Sequence, residues 1–156
     1  DAGVSYEIVP GVTAAFAAAA DFELPLTLRG VASSMVFTTG HDLKGNALPD
    51  WARIAIGGAT VAVYMGRSIA SEGATNPIAA GLAPDTAVAV VENASLGHRA
   101  MFHGTLADLP SLQDRTELTG PVMTIIGDAV AGASFGRSEP LAARRRAPAA
   151  KREEVR

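Results

Sequence analysis

Short apolar runs rich in β-branched residues, each closed by glycine, proline or asparagine, recur along this chain with alanine-rich or polar stretches between them. The first is Tyr6-Glu7-Ile8-Val9, which reads as a short strand meeting Pro10-Gly11. Proline fixes φ and glycine permits angles closed to other residues, so the chain can turn sharply there. Thr13 stands where a helix N-cap is useful, and residues 14–20 are almost wholly alanine, the best helix former and the smallest apolar one. A flat partner could lie directly on such a helix. From these residues alone, a strand–turn–helix connection packed on a sheet is the expectation.

The remaining pattern continues in kind. Asp21 to Thr27 forms a loop in which Pro25 ends any helix before it, and residues 33–39 are β-rich up to Gly40-His41. Residues 44–49 are a polar loop, and residues 50–54 suggest a short helix capped by Asp50 and broken by Gly57-Gly58. Residues 60–66 look like a buried strand. Residues 67–80 look helical, weakened by Gly73 and Pro77 and C-capped by Gly81. Residues 86–92 give another apolar strand, 99–105 an edge or antiparallel strand, 107–112 a helical turn or two, and 122–127 the last core strand. Strands and helices alternate and then strands run together. The fold class is therefore α/β, a three-layer-like domain in which helices cover a mixed β-sheet.

Composition narrows the setting. The 156 residues suit one domain with a real core, and 48% are hydrophobic. Aromatics at 5% are too scarce for a base-stacking platform, which argues against a nucleic-acid partner. No apolar run approaches the roughly 20 residues needed to cross a bilayer, so no membrane association is expected. There is no cysteine, which excludes disulfides and thiolate metal sites and fits a reducing, cytoplasmic setting. The net charge of −3 is uneven: residues 137–156 hold seven Lys/Arg against three Glu. Residues 1–136 are thus expected to form the packed domain, and residues 137–156 an Arg/Ala-rich disordered tail. The start, Asp1-Ala2-Gly3, has neither a basic n-region nor an initiator methionine, as expected of a piece cut from something longer.

Familiar catalytic signatures are missing. His41, His98 and His103 lack the spacing of a helical zinc site, and 98 and 103 on one strand would face opposite sides, so no metal is expected. There is no G-x-S-x-G, G-x-G-x-x-G or Walker A sequence. Instead, strands end in small or unusual polar residues: Val9-Pro10-Gly11, Thr39-Gly40-His41, Tyr64-Met65-Gly66, Glu92-Asn93-Ala94-Ser95 and Ile126-Gly127-Asp128. In α/β sheets ligands sit beyond the carboxyl ends of strands, and Met65 would offer a soft contact for an adenine or sulfonium edge. The same glycines could equally serve only to end the strands.

Taken in order, these stretches resemble the C-terminal half of the tetrapyrrole (corrin/porphyrin) methylases, and within them the uroporphyrinogen-III C-methyltransferases and the methylase part of siroheme synthase. The resembling text is Tyr6-Glu7-Ile8-Val9-Pro10-Gly11-Val12-Thr13-Ala14-Ala15, Leu24-Pro25-Leu26-Thr27 with Arg29, Thr39-Gly40-His41, Asp50-Trp51, Val63-Tyr64-Met65-Gly66, residues 88–93 and His103-Gly104-Thr105-Leu106. The resemblance implies an S-adenosylmethionine-dependent methylation of uroporphyrinogen III toward precorrin-2, on the way to siroheme or cobalamin. By position, Thr13, Ala14, Met65 and Ala94 would contact the cofactor, with Ala94 standing where the family usually has glycine. Arg29 and Arg99 are candidates for the substrate's carboxylates, since guanidinium pairs bidentately with carboxylate. Leu28 and His98 replace a common histidine and glutamine. The family's glycine-rich loop and its acid/base groups belong to a first domain absent from this sequence, so no catalytic residue is expected here. An isolated piece would be inactive, and the family implies a homodimer. The alternative is a non-catalytic dimerisation module or a relic of the same fold.

Overall fold

In the computed structural model, residues 3–40, 50–72 and 75–142 are described. Helix α1 (Ala14–Asp21) is followed by strand β1 (Met35–Thr39), helix α2 (Asp50–Ile56), strand β2 (Thr60–Tyr64), and short helices α3 (Ser68–Glu72) and α4 (Thr75–Ala79). Strands β3 (Ala87–Glu92) and β4 (Ala100–Thr105) come next, then a 3₁₀ helix (Leu106–Asp114), strand β5 (Val122–Ile126), a second 3₁₀ helix (Asp128–Gly132) and strand β6 (Glu139–Pro140).

The six strands form one sheet in the order β1-β2-β5-β3-β4-β6. β1 runs parallel to β2 and β6 parallel to β4, whereas the three central pairings are antiparallel. The sheet is mixed, as the pattern predicts. β5, last of the core strands in sequence, enters between β2 and β3, so those two run parallel and end at the same edge. That edge carries the site described below.

Both faces of the sheet are buried, which explains the near-continuous apolar runs of β2, β3 and β5. Alternation sends Val61, Val63, Val88, Val90, Phe102 and Ile126 to one face, where α2, Ile69 and the leucines of the first 3₁₀ helix cover them. Ala62, Ala89, Val91, Met101, Met123 and Ile125 face the other side, under α1, Phe22 and Leu24. α1 buries Ala15, Ala18 and Ala19, an i, i+3, i+4 stripe without bulk, so this helix lies close on the sheet.

Helix α1 ends in a Schellman motif. The Leu24 N–H donates to Ala19 O at 2.8 Å and the Glu23 N–H to Ala20 O at 3.2 Å, with Glu23 left-handed at φ 54°. Glycine is the usual residue there, because it carries no Cβ to clash.

Three expectations need correction. Tyr6 to Val9 pairs with no strand among the described residues; Val4, Tyr6, Ile8, Val9 and Val12 are 77–86% exposed. Their alternation has strand character, but a strand exists only where a neighbour takes its N–H and C=O groups. Second, the single helix expected over residues 67–80 is two short ones, α3 and α4, and Gly73 lies outside the described residues. Third, the packed body runs past residue 136. β6 pairs with β4, Leu141 is fully buried and donates its N–H to His103 O at 2.7 Å, and Arg115 holds Pro140 O at 2.7 Å. Charge and proline dominate the composition of this stretch, and one leucine anchors it. His41, the loop 44–49 and residues 143–156 lie outside the described residues.

Candidate binding site

Three backbone hydrogen bonds shape the sheet edge where β2 and β3 end and β5 begins. Gly40 N–H donates to Tyr64 O at 2.8 Å, Gly66 N–H to Val122 O at 2.9 Å, and Asn93 N–H to Pro121 O at 3.1 Å. The turns leaving the strands are tight. Met65 and Asn93, the residues just beyond β2 and β3, both hold left-handed backbone at φ 52° and 55°, which non-glycine residues adopt only where their surroundings enforce it.

The surroundings do enforce it. A Cβ on Gly66 would overlap Thr124, with the Thr124 Cβ and N both 2.8 Å away, so only glycine lets this turn lie on β5. A Cβ on Gly120 would fall 2.9 Å from both Cγ and Nδ2 of Asn93. Gly120 also donates its N–H to Glu92 Oε1, and Glu92 is buried. The turns after β3 and before β5 are thus locked together by glycine, Asn93 and Glu92.

Between these turns and α1 opens a pocket of about 340 Å³, whose lining includes Ala14, Met65, Asn93, Ala94, Leu96 and Met123. Three of the four cofactor-facing residues named from sequence, Ala14, Met65 and Ala94, therefore meet in one cavity. Thr13, the fourth, stands beside it as the N-cap of α1. Its hydroxyl accepts the Ala15 N–H at 3.4 Å and is hydrogen-bonded to the hydroxyl of Tyr64, itself a lining residue. Tyr64 ties the helix start to the end of β2.

The two arginines lie elsewhere. Arg29 is exposed in a tight turn closed by the Leu28–Ala32 bridge. Arg99 pairs through Nε with Asp21 Oδ1 at 2.9 Å, and its Nη1 donates to Leu96 O at 3.2 Å. Neither lines the pocket. Of the histidines, His98 precedes β4 rather than lying on it, and His103 stacks on Phe135 with centroids 4.7 Å apart and its Nδ1 2.8 Å from Ser138 Oγ.

Sequence reasoning missed Tyr64, Val91, Asn93, Leu96 and the Pro121-Val122-Met123 stretch. Tyr64 and Asn93 stood inside quoted strand ends and could have been found. Pro121 to Met123 could not, because they reach the pocket from the beginning of an antiparallel strand and only the sheet order brings them there.

Chemically, the pocket can hold a small flat molecule. Alanine, leucine, valine and methionine supply apolar contact, and the Asn93 amide can meet a polar edge. Among the described residues, the lining contains no carboxylate, histidine or lysine to move a proton.

Comparison with known proteins places the chain and its fold in one family. The model of the Tetrapyrrole (Corrin/Porphyrin) Methylases matches residues 1–110. A siroheme synthase of Gluconacetobacter diazotrophicus is 38% identical over 130 residues, covering 83% of this chain and 28% of that protein. An S-adenosyl-L-methionine-dependent uroporphyrinogen III methyltransferase of Methanosarcina barkeri is 35% identical over 81% of this chain and 51% of its own length. The chain thus spans about half, or less, of the length of these relatives. Among solved structures, a cobalt precorrin-4 methyltransferase of cobalamin biosynthesis superposes with a TM-score of 0.69 at 28% identity, over 82% of this chain and 54% of that one. The uroporphyrin-III C-methyltransferase of Thermus thermophilus complexed with S-adenosylhomocysteine superposes at 0.63 with 30% identity, over 83% and 56%. The chain is a member of the tetrapyrrole (corrin/porphyrin) methylase family.

Proposed function

We propose that this chain is the C-terminal part of an S-adenosylmethionine-dependent uroporphyrinogen-III C-methyltransferase and forms one wall of its cofactor cleft. The observation that carries this reading is the convergence of Ala14, Met65 and Ala94 on one apolar pocket at the carboxyl ends of β2 and β3. The residues suit the cofactor. The cavity, about 340 Å³, falls in the size range of small-molecule sites, and Met65 lines it from a left-handed turn.

The cofactor, when bound, supplies the methyl group. This chain's residues bind and orient. Ala14 and Ala94 keep the wall low enough for an adenosine to lie against it, Met65 covers an apolar edge, and Tyr64 with Thr13 holds the start of α1. Since the acceptor carbons of uroporphyrinogen III are already electron-rich, alignment for in-line transfer is the main task of such a site. Arg29, exposed and on a turn, is the candidate from this chain for a substrate carboxylate. Acid/base groups belong, under this reading, to a preceding domain, and the chain alone is inactive.

Calorimetry with S-adenosylhomocysteine tests the proposal. The chain alone should bind weakly or not at all, and a longer protein carrying the upstream coding sequence should bind. In that protein Met65→Ala should raise Kd roughly tenfold, the loss of about 1.4 kcal/mol of apolar contact. No binding by the longer protein would remove the cofactor from this pocket, and an unchanged Kd would remove Met65 from its wall.

A further inference from the structure

We infer that Asp21 and Arg99 form a clamp that positions the pocket turn of residues 93–99 against α1, so that Arg99 acts through that turn and does not touch the substrate. Asp21 is the last residue of α1, where the helix dipole disfavours a carboxylate. It is nevertheless only 12% exposed, and both its oxygens are engaged. Oδ1 takes Arg99 Nε at 2.9 Å and Oδ2 takes the Ser95 N–H at 3.0 Å. Arg99 in turn grips Leu96 O from its other end. One carboxylate therefore fastens both ends of the turn.

That turn needs fastening. Asn93 and Ser95 are both left-handed, at φ 55° and 67°, with Ala94 between them facing the pocket and Leu96 just beyond. Two such residues in three positions are unfavourable unless neighbours hold them. α1 carries the restraint across the site: its last residue sets Ser95, and its first, Ala14, lines the same pocket. Among the described residues, Arg137 also reaches this helix end, where it donates to Asp21 O at 3.0 Å and pairs with Glu23 at 3.5 Å. It leaves the Asp21 carboxylate to Arg99.

The inference rests on the proposed cofactor reading for its consequence, while the clamp itself can be measured without ligand. In the longer protein, Asp21→Asn, Arg99→Gln and the double variant are titrated with S-adenosylhomocysteine and assayed for KM and kcat. Each single change should raise Kd roughly tenfold, the size of one charge-assisted pair, and the double should be no worse than either. kcat at saturation should hold. In the 156-residue chain, Asp21→Ala should speed amide exchange at Ser95 and leave Val90 unchanged. Unaltered affinity in Asp21→Asn, additive losses in the double, or a raised tetrapyrrole KM in Arg99→Gln alone would overturn the clamp. Should the unsubstituted longer protein bind no S-adenosylhomocysteine, the cofactor reading falls, and slow exchange at Ser95 in Asp21→Ala would sink the clamp separately.

Discussion

At the scale of single residues, the site is made by what cannot be larger. Gly66 lies on Thr124 and Gly120 on Asn93, so the turns after β2 and β3 occupy positions that a methyl group would block. Gly66→Ala should destabilise the domain by about 2 kcal/mol, since the overlap is with backbone and a buried side chain of the central strand. A lowered denaturant midpoint with unchanged m checks it; a wild-type midpoint would show that β5 yields freely. Met65 and Asn93 were legible in the sequence as strand-end residues. Their left-handed backbone was not, because neither is glycine and only packing against β5 forces it. Arg99 is a different case. Its type suggested a carboxylate ligand, and the carboxylate it meets belongs to Asp21, seventy-eight positions away in sequence and adjacent only through the fold.

At the scale of elements, the alanine helix was readable to within a residue, because propensity, the Thr13 cap and the Pro25 stop all agree. Its exit was not. Glu23 occupies the left-handed position of a Schellman motif, and its pair with Arg137 is exposed on both sides, which contributes little. Glu23→Gly should therefore raise stability by about 0.5–1 kcal/mol, read as a higher Tm; a lower Tm would mean the Arg137 pair outweighs the backbone strain. Tyr6 to Val9 marks the limit of pattern reading in the other direction. Alternating residues give strand character, but pairing is a property of two segments, and no described segment of this chain pairs with it.

At the scale of the whole molecule, the mixed sheet and its two apolar layers followed from period and composition, whereas the strand order did not. Inserting β5 between β2 and β3 is a long-range choice, and it alone brings Val122 and Met123 to the pocket. The body also closes later than charge suggested. Leu141, fully buried in the same cluster as Phe102 and Leu109, should cost about 2–4 kcal/mol when changed to alanine, measured by chemical denaturation. A loss below about 0.5 kcal/mol would restore the disordered tail from residue 137. The central claim, that the edge where β2 and β3 end is the cofactor wall, is tested most directly by the methionine methyl resonances. The chain has four methionines: Met65 and Met123 line the pocket, whereas Met35 and Met101 do not. On adding S-adenosylhomocysteine to the longer protein, the methyls of Met65 and Met123 should shift while those of Met35 and Met101 stay in place. Movement of Met35 and Met101 with Met65 and Met123 unmoved would contradict the account.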